Sequence, residues 1–124
     1  MAFGILLTFV AIAGFAITFL GYLGLVGKLP PNGYAGIRTP FTMATSENWY
    51  DTHRAAAPIM MFGGILVFAI AMAFVPFAFS GQVSGTVGLV VVIVCGILTV
   101  TTAALAWYAG TSYAAARSTR EGPR

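Results

Sequence analysis

The residues of this 124-residue chain that could do chemistry are concentrated in one short segment, 38–53. Asp51 and His53 lie two positions apart, about 200° around a helix, so they cannot chelate one metal ion together. The segment has neither the His-x-x-x-His nor the paired-cysteine spacing of a zinc site. Ser46 lacks the glycine-flanked turn of a nucleophile elbow. We therefore expect this segment to provide no enzyme activity, metal site or cofactor site.

The rest of the chain is strongly apolar. Hydrophobic residues make up 59% of the sequence and charged residues only 7%, whereas a soluble domain carries about 25% charged residues. A chain this short cannot hide so much apolar surface from water, because small folds leave a large share of their area exposed. The composition therefore predicts a single membrane domain. The lone Cys95 lies inside an apolar run, where it is expected to be buried and to form no internal disulfide.

Three uncharged apolar stretches are long enough to cross a bilayer, which takes about 20 residues. They run from about 3 to 26, from about 55 to 79 and from about 86 to 109. None shows the alternation of a barrel strand, so the predicted fold class is an all-α integral membrane protein with three transmembrane helices. No Lys or Arg precedes the first stretch, which favours a retained helix over a cleaved signal peptide.

The basic residues predict the orientation of these helices. With three crossings, the loop 27–54 and the tail 110–124 lie on one side of the membrane. All the Lys and Arg residues fall on that side: Lys28, Arg38, Arg54, Arg117, Arg120 and Arg124. The positive-inside rule places it in the cytoplasm, with the N-terminus outside. This charge suits the lipid bilayer surface and gives no support to nucleic-acid binding.

The loop 27–54 carries clear local signals. The run Pro30–Gly33 predicts a turn that ends the first helix, and Pro40 disfavours the α conformation of the residue before it. Ser46 is predicted to cap a short helix reaching about residue 53, with Glu47 in its first turn. Pro58 is expected to kink the junction, so that this short helix lies along the interface before the second span begins.

Arg38 and His53 are the most informative side chains of this loop. A guanidinium at a membrane surface needs carboxylate, phosphate or carbonyl partners. Glu47 and Asp51 are the nearest carboxylates to Arg38 along the sequence, and a lipid phosphate is the alternative. Trp49 and His53 lie four residues apart and so share one face of the short helix. A hydrogen-bonded interfacial histidine is the alternative to a functional one.

The loop resembles that of the SdpI family of bacterial membrane proteins, typified by an immunity protein against a secreted killing factor. The residues that carry the resemblance are Asn32, the run Gly36–Thr42, Ser46, Trp49 and His53. Phe41 stands where the family often has tryptophan, and the chain resembles the family's three-helix domain alone. The resemblance implies a bacterial plasma membrane, no catalysis and no cofactor. It also implies a functional loop containing Asn32, Gly36, Arg38, Thr39, Pro40, Phe41, Ser46, Trp49 and His53.

Two functions remain open at this point. In the first, the chain is a protective or sensing protein that binds a membrane-active peptide or lipid-like toxin through its cytoplasmic loop and helix cavity. Alternatively, it is an accessory subunit of a larger transport or respiratory complex. Its spans carry no charged residue, which argues against ion pumping by this chain alone. Small residues on all three helices predict close helix contacts, and packing within the chain is one use of them. We also expect a homo-oligomer or a larger membrane-protein complex, with Ala69 and Ala73 on the expected contact face.

Overall fold

A computed structural model describes residues 1–122, and over that range the chain is all-helical without strands, which confirms the predicted fold class. Pro123 and Arg124, at the end of the predicted basic tail, lie outside the described residues. The helices are α1 (Ala2–Leu25), α2 (Pro40–Ala44), α3 (Ser46–Phe79) and α4 (Gly85–Glu121). By length and hydropathy, α1, α3 and α4 can each cross a membrane.

The short polar helix and the second span, predicted as two segments, are one helix in the structure. They form a continuous α3 of 34 residues, which runs through Pro58 and Pro76. A proline inside a helix removes one backbone hydrogen bond, and α3 continues on both sides of each of them. Thr45 rather than Ser46 is the N-cap, because its side chain accepts the Asn48 N–H at 3.0 Å. At about 1.5 Å per residue, α3 is about 51 Å long. Its polar first turns therefore project beyond a hydrocarbon core of about 30 Å.

Helix α4 also extends further than predicted. It continues to Glu121, through most of the segment that was expected to be a tail. Gly122 follows it with φ of 72°, a positive value that glycine adopts readily because it has no Cβ atom. Both α3 and α4 therefore leave the membrane at the same end of the bundle, where charged side chains of the two helices can meet.

Helix α3 lies between α1 and α4 and packs against both. The backbones of α1 and α3 approach closely where two glycines face each other. A Cβ atom at Gly14 would lie 2.7 Å from the Phe68 nitrogen, and one at Gly64 would lie 2.7 Å from the Gly14 oxygen. These predicted small-residue faces therefore serve contacts within the chain. Cys95 is fully buried in the same core, as expected.

Candidate functional site

The loop between α1 and α3 is folded onto the first turns of α3 by two buried aromatic side chains. Trp49 is 0% exposed and His53 is 1% exposed. The Trp49 Nε1–H donates a hydrogen bond of 2.8 Å to the carbonyl oxygen of Leu29. The His53 Nε2 accepts a hydrogen bond of 2.8 Å from the Ile37 N–H. Two separate points of the loop backbone are thus held by side chains of α3.

The hydrogen bonds of His53 define its tautomer. Its Nδ1 lies 2.7 Å from the carbonyl oxygen of Trp49. A carbonyl can only accept, so Nδ1 carries the proton and Nε2 presents its lone pair to the Ile37 N–H. Burial lowers the pKa of His53, and the bond to the Trp49 carbonyl opposes that shift only in part. His53 is therefore a neutral, hydrogen-bonded histidine at the base of the loop.

Gly36 permits the loop to pass close to these rings. Its φ of 109° is a conformation that L-residues with a side chain rarely adopt. A Cβ atom at this position would also lie 2.5 Å from the His53 Nε2 and 3.2 Å from the Trp49 ring. The Trp49 and His53 rings themselves lie 4.3 Å apart between centroids. Gly36, Trp49 and His53 therefore form one packed unit, which we call the loop anchor.

Asn32 and Arg38 organise the outer part of the loop. The Asn32 Oδ1 accepts the backbone N–H groups of Tyr34 at 3.0 Å and Ala35 at 2.7 Å. Its Nδ2 donates to the Pro30 carbonyl at 2.9 Å. Arg38 donates to the Gly33 carbonyl of the same turn. These side-chain to backbone bonds fix the turn in the way typical of asparagine in loops.

Thr39 and Pro40 start α2, a short helix that the sequence did not predict. Thr39 is its N-cap, and the Thr42 side chain returns the bond: Thr42 N donates to Thr39 Oγ1 at 3.2 Å, and Thr39 N donates to Thr42 Oγ1 at 2.8 Å. The buried Thr42 hydroxyl also donates to the Ile37 carbonyl at 2.8 Å. Thr42 stands at the position of this capping box where glutamate or glutamine is usual. The usual sequence pattern therefore did not indicate the motif.

A polar contact between α2 and α3 completes the loop. The Asn48 Nδ2 donates to the Phe41 carbonyl at 3.0 Å. Asn48 was not among the predicted site residues, although its position one residue before Trp49 could have indicated a role. Ser46 lies exposed in the first turn of α3, and no bond of its side chain to the loop is present in the described structure.

The predicted pairing of Arg38 with Glu47 or Asp51 is wrong. Both carboxylates instead face Arg117 of α4, at 3.5 Å for Glu47 and 2.7 Å for Asp51. Arg117 also pairs with Glu121 at 2.9 Å. These groups line a polar cavity of about 220 Å³. They join α3 to α4 at the end of the bundle that projects beyond the hydrocarbon core, because the extended α4 brings Arg117 beside α3. The Arg38 guanidinium is instead held by a carbonyl of its own loop.

The loop has a buried inner side and an exposed outer side. Its anchor is buried, while the turn presents side chains outward: Tyr34 is 88% exposed and Met43 is 50% exposed, with Arg38 exposed between them. Within residues 1–122, no group of three or more His, Cys, Asp or Glu side chains is placed to hold a metal ion. The outer side of the loop thus carries a guanidinium, a phenol and a thioether on a hydrogen-bonded backbone.

In a comparison with known protein families, the model of the SdpI/YfhL protein family matches residues 28–114. That range includes the loop from its second residue, together with α2, α3 and most of α4. Neither the search of curated proteins nor the search of solved structures returned a match.

Proposed function

The chain belongs to the SdpI/YfhL protein family, and from this premise we propose that it is a membrane binding protein that protects against, or senses, a membrane-active peptide. The loop surface of Tyr34, Arg38 and Met43 is the proposed recognition surface. The ordered state of this loop is the observation that carries the proposal. A ligand that meets a loop already held by buried hydrogen bonds need not supply the ordering free energy itself.

Arg38 supplies the polar part of this recognition. Its NH1 group is committed to the Gly33 carbonyl, which orients the guanidinium while the side chain remains exposed. A guanidinium has five N–H donors, so the remaining ones can meet a carboxylate or carbonyl group of a peptide. Tyr34 and Met43 flank it with apolar contact area. This combination suits an amphipathic peptide better than a small polar metabolite.

The proposed setting is the cytoplasmic face of a bacterial plasma membrane, with the N-terminus outside. The described basic residues support it: Lys28, Arg38 and Arg54 flank or lie in the loop, and Arg117 and Arg120 lie at the same end of the bundle on α4. The positive-inside rule assigns such an end to the cytoplasm. In this orientation the recognition surface meets peptides that have entered or crossed the bilayer.

The accessory-subunit function remains as a second candidate, favoured by unused small residues. Ala69 and Ala73 of α3 are exposed and aligned along one face. A Cβ atom at Gly96 of α4 would meet no atom within 4 Å. Such positions admit a neighbouring helix at short distance. Enlarging both alanines to Leu should release a partner or second copy while insertion stays normal. Ala13→Leu with Ala16→Leu, which enlarges two exposed alanines of α1 in the same way, is the matched control and should leave association unchanged.

The protective function is tested in cells. A strain that expresses the chain, and one with an empty vector, are exposed to dilution series of secreted antibacterial peptides. Expression should raise the inhibitory concentration of at least one peptide, and Arg38→Ala and Tyr34→Ala should abolish that protection. Arg120→Ala, a change of an exposed basic residue at the same end of the bundle, should keep it. If protection is absent at normal membrane levels, and the protein co-purifies in fixed ratio with a larger complex, the subunit function is correct instead.

A further inference from the structure

A groove runs along the seam between α3 and α4. Its apolar part is a cavity of about 410 Å³, within the range of about 300–1,000 Å³ that is usual for small-molecule sites. The walls come from both helices: Phe62, Gly63 and Leu66 of α3, and Leu98, Thr101 and Leu105 of α4. A Cβ atom at Gly63 would collide with the Thr102 side chain, so the two backbones meet at the floor of the groove.

Toward the loop end of the bundle, the groove adjoins a second cavity whose walls carry charged as well as apolar side chains. This cavity has a volume of about 490 Å³ and shares Pro58 with the apolar one. It is lined by Asp51, Arg54, Ala109, Tyr113 and Arg117. The two cavities together therefore form one amphipathic groove, with charged side chains at its loop end, which we call the mouth, and an apolar interior.

The mouth carries a cation that is available to an anionic ligand. Arg117 is occupied by the carboxylates of Glu47, Asp51 and Glu121. Arg54 is exposed, and among residues 1–122 it forms no ion pair. The Tyr113 side chain is 60% exposed and lines the same cavity, where its phenol can donate a hydrogen bond.

We propose that this groove binds one anionic phospholipid, with its phosphate at Arg54 and Tyr113 and an acyl chain in the apolar cavity. The dimensions agree: from Pro58 to Leu66, the rise of about 1.5 Å per residue gives about 12 Å. One leaflet is roughly half of a hydrocarbon core of about 30 Å. A lipid of the leaflet next to the loop therefore has its head group at the mouth and its chain beside Leu66.

A lipid fits this groove better than a helix of a second copy does. Helices associate in bilayers where small residues allow their backbones to approach. The rims here carry large side chains, and Phe62 is 72% exposed. A flexible acyl chain can enter between such rims, whereas a rigid helix would rest on top of them. The ionic mouth also complements a phosphate, for which arginine is a common partner.

The proposal is tested by lipid retention. Purified protein is equilibrated with mixed micelles that contain equal amounts of phosphatidylglycerol and phosphatidylcholine with the same acyl chains, and native mass spectrometry counts the lipids that remain bound. The wild type should retain one phosphatidylglycerol in preference to phosphatidylcholine. Arg54→Ala should lower that retention at least about fivefold, the effect expected for one basic residue at an anionic membrane surface. Lys28→Ala, which changes an exposed basic residue outside the groove, should not.

A second pair of variants tests the apolar half independently of charge. Leu105→Trp fills the groove and should abolish retention of the bound lipid. Val100→Trp adds the same side chain at a position that is 70% exposed and does not line the groove, and should leave retention unchanged. Equal retention of both lipids, equal effects of the paired variants, or a lipid-free dimer that Leu105→Trp dissociates would each overturn the proposal. None of these results depends on peptide protection, so the two proposals fail separately.

Discussion

We call the packing of the loop against the first turns of α3 loop docking. His53 of the loop anchor should make loop docking dependent on pH. His53 is neutral in the folded protein, and protonation of its Nε2 would replace an acceptor with a donor facing the Ile37 N–H. Because burial lowers the pKa of His53 below its ordinary value of 6.5, the unfolded chain binds the proton more tightly. Docking should therefore be fully stable above about pH 6.5 and should weaken as the pH falls from there toward the folded pKa.

The size of this effect follows from proton linkage and from the bond to the Ile37 N–H, which is the bond that protonation removes. Stability changes by up to about 1.4 kcal/mol per pH unit while the unfolded state holds one more proton than the folded state. Loss of the Ile37 bond leaves a polar group unpaired near the buried anchor, which costs about 1–3 kcal/mol. His53→Gln removes the titration, so its docking should be independent of pH between about 5 and 8, where only histidine of the ordinary side chains changes charge.

Trp49 reports docking directly, because its ring packs on His53 and is fully buried. In a Trp107→Phe background it is the only tryptophan, since the chain has two. The emission maximum of the protein in nanodiscs should shift to the red as the pH falls, as Trp49 meets water. His53→Gln should show no such shift. If the two proteins have the same pH profile, or the wild type shows none, the assignment of His53 as a neutral acceptor is wrong.

Three further predictions follow from the same structure. Gly36→Ala should destabilise loop docking by about 2 kcal/mol or more, because it places a side chain in an unfavourable backbone region beside His53. Thermal unfolding measures this change. Gly33→Ala is the control and should change stability little, because its added Cβ atom meets no atom within 4 Å. Arg117→Ala should make the last turns of α4 more accessible to limited proteolysis, because it removes their ion pairs to α3, whereas unchanged cleavage would contradict this role. Single cysteines at the exposed positions Met43 and Gln82, in a cysteine-free background, test the orientation with an impermeant thiol reagent on intact cells. The cysteine at position 82 should be labelled and the one at position 43 should not. The reverse pattern would refute the orientation.

The sequence by itself determined the three membrane helices and the position of the loop. Uncharged apolar runs of this length must satisfy their backbone hydrogen bonds internally in lipid, so they have to be helical wherever they pack. The run Pro30–Gly33 likewise determines a turn through local backbone preferences. The spaced residues from Asn32 to His53 were sufficient to indicate the family. All of these features depend on residues close together in the chain.

The tertiary structure decided the partners of the polar side chains. Trp49 and its acceptor Leu29 are 20 positions apart, His53 and Ile37 are 16 apart, and Arg117 and Asp51 are 66 apart. From the sequence, Arg38 was expected to pair with the nearest carboxylates, Glu47 and Asp51. In the fold it donates to the Gly33 carbonyl, and both carboxylates pair with Arg117 of α4. The length of α3 was decided in the same way. The sequence divided it near Pro58 into a short polar helix and a span, whereas α3 continues as one helix through Pro58 and packs against both α1 and α4.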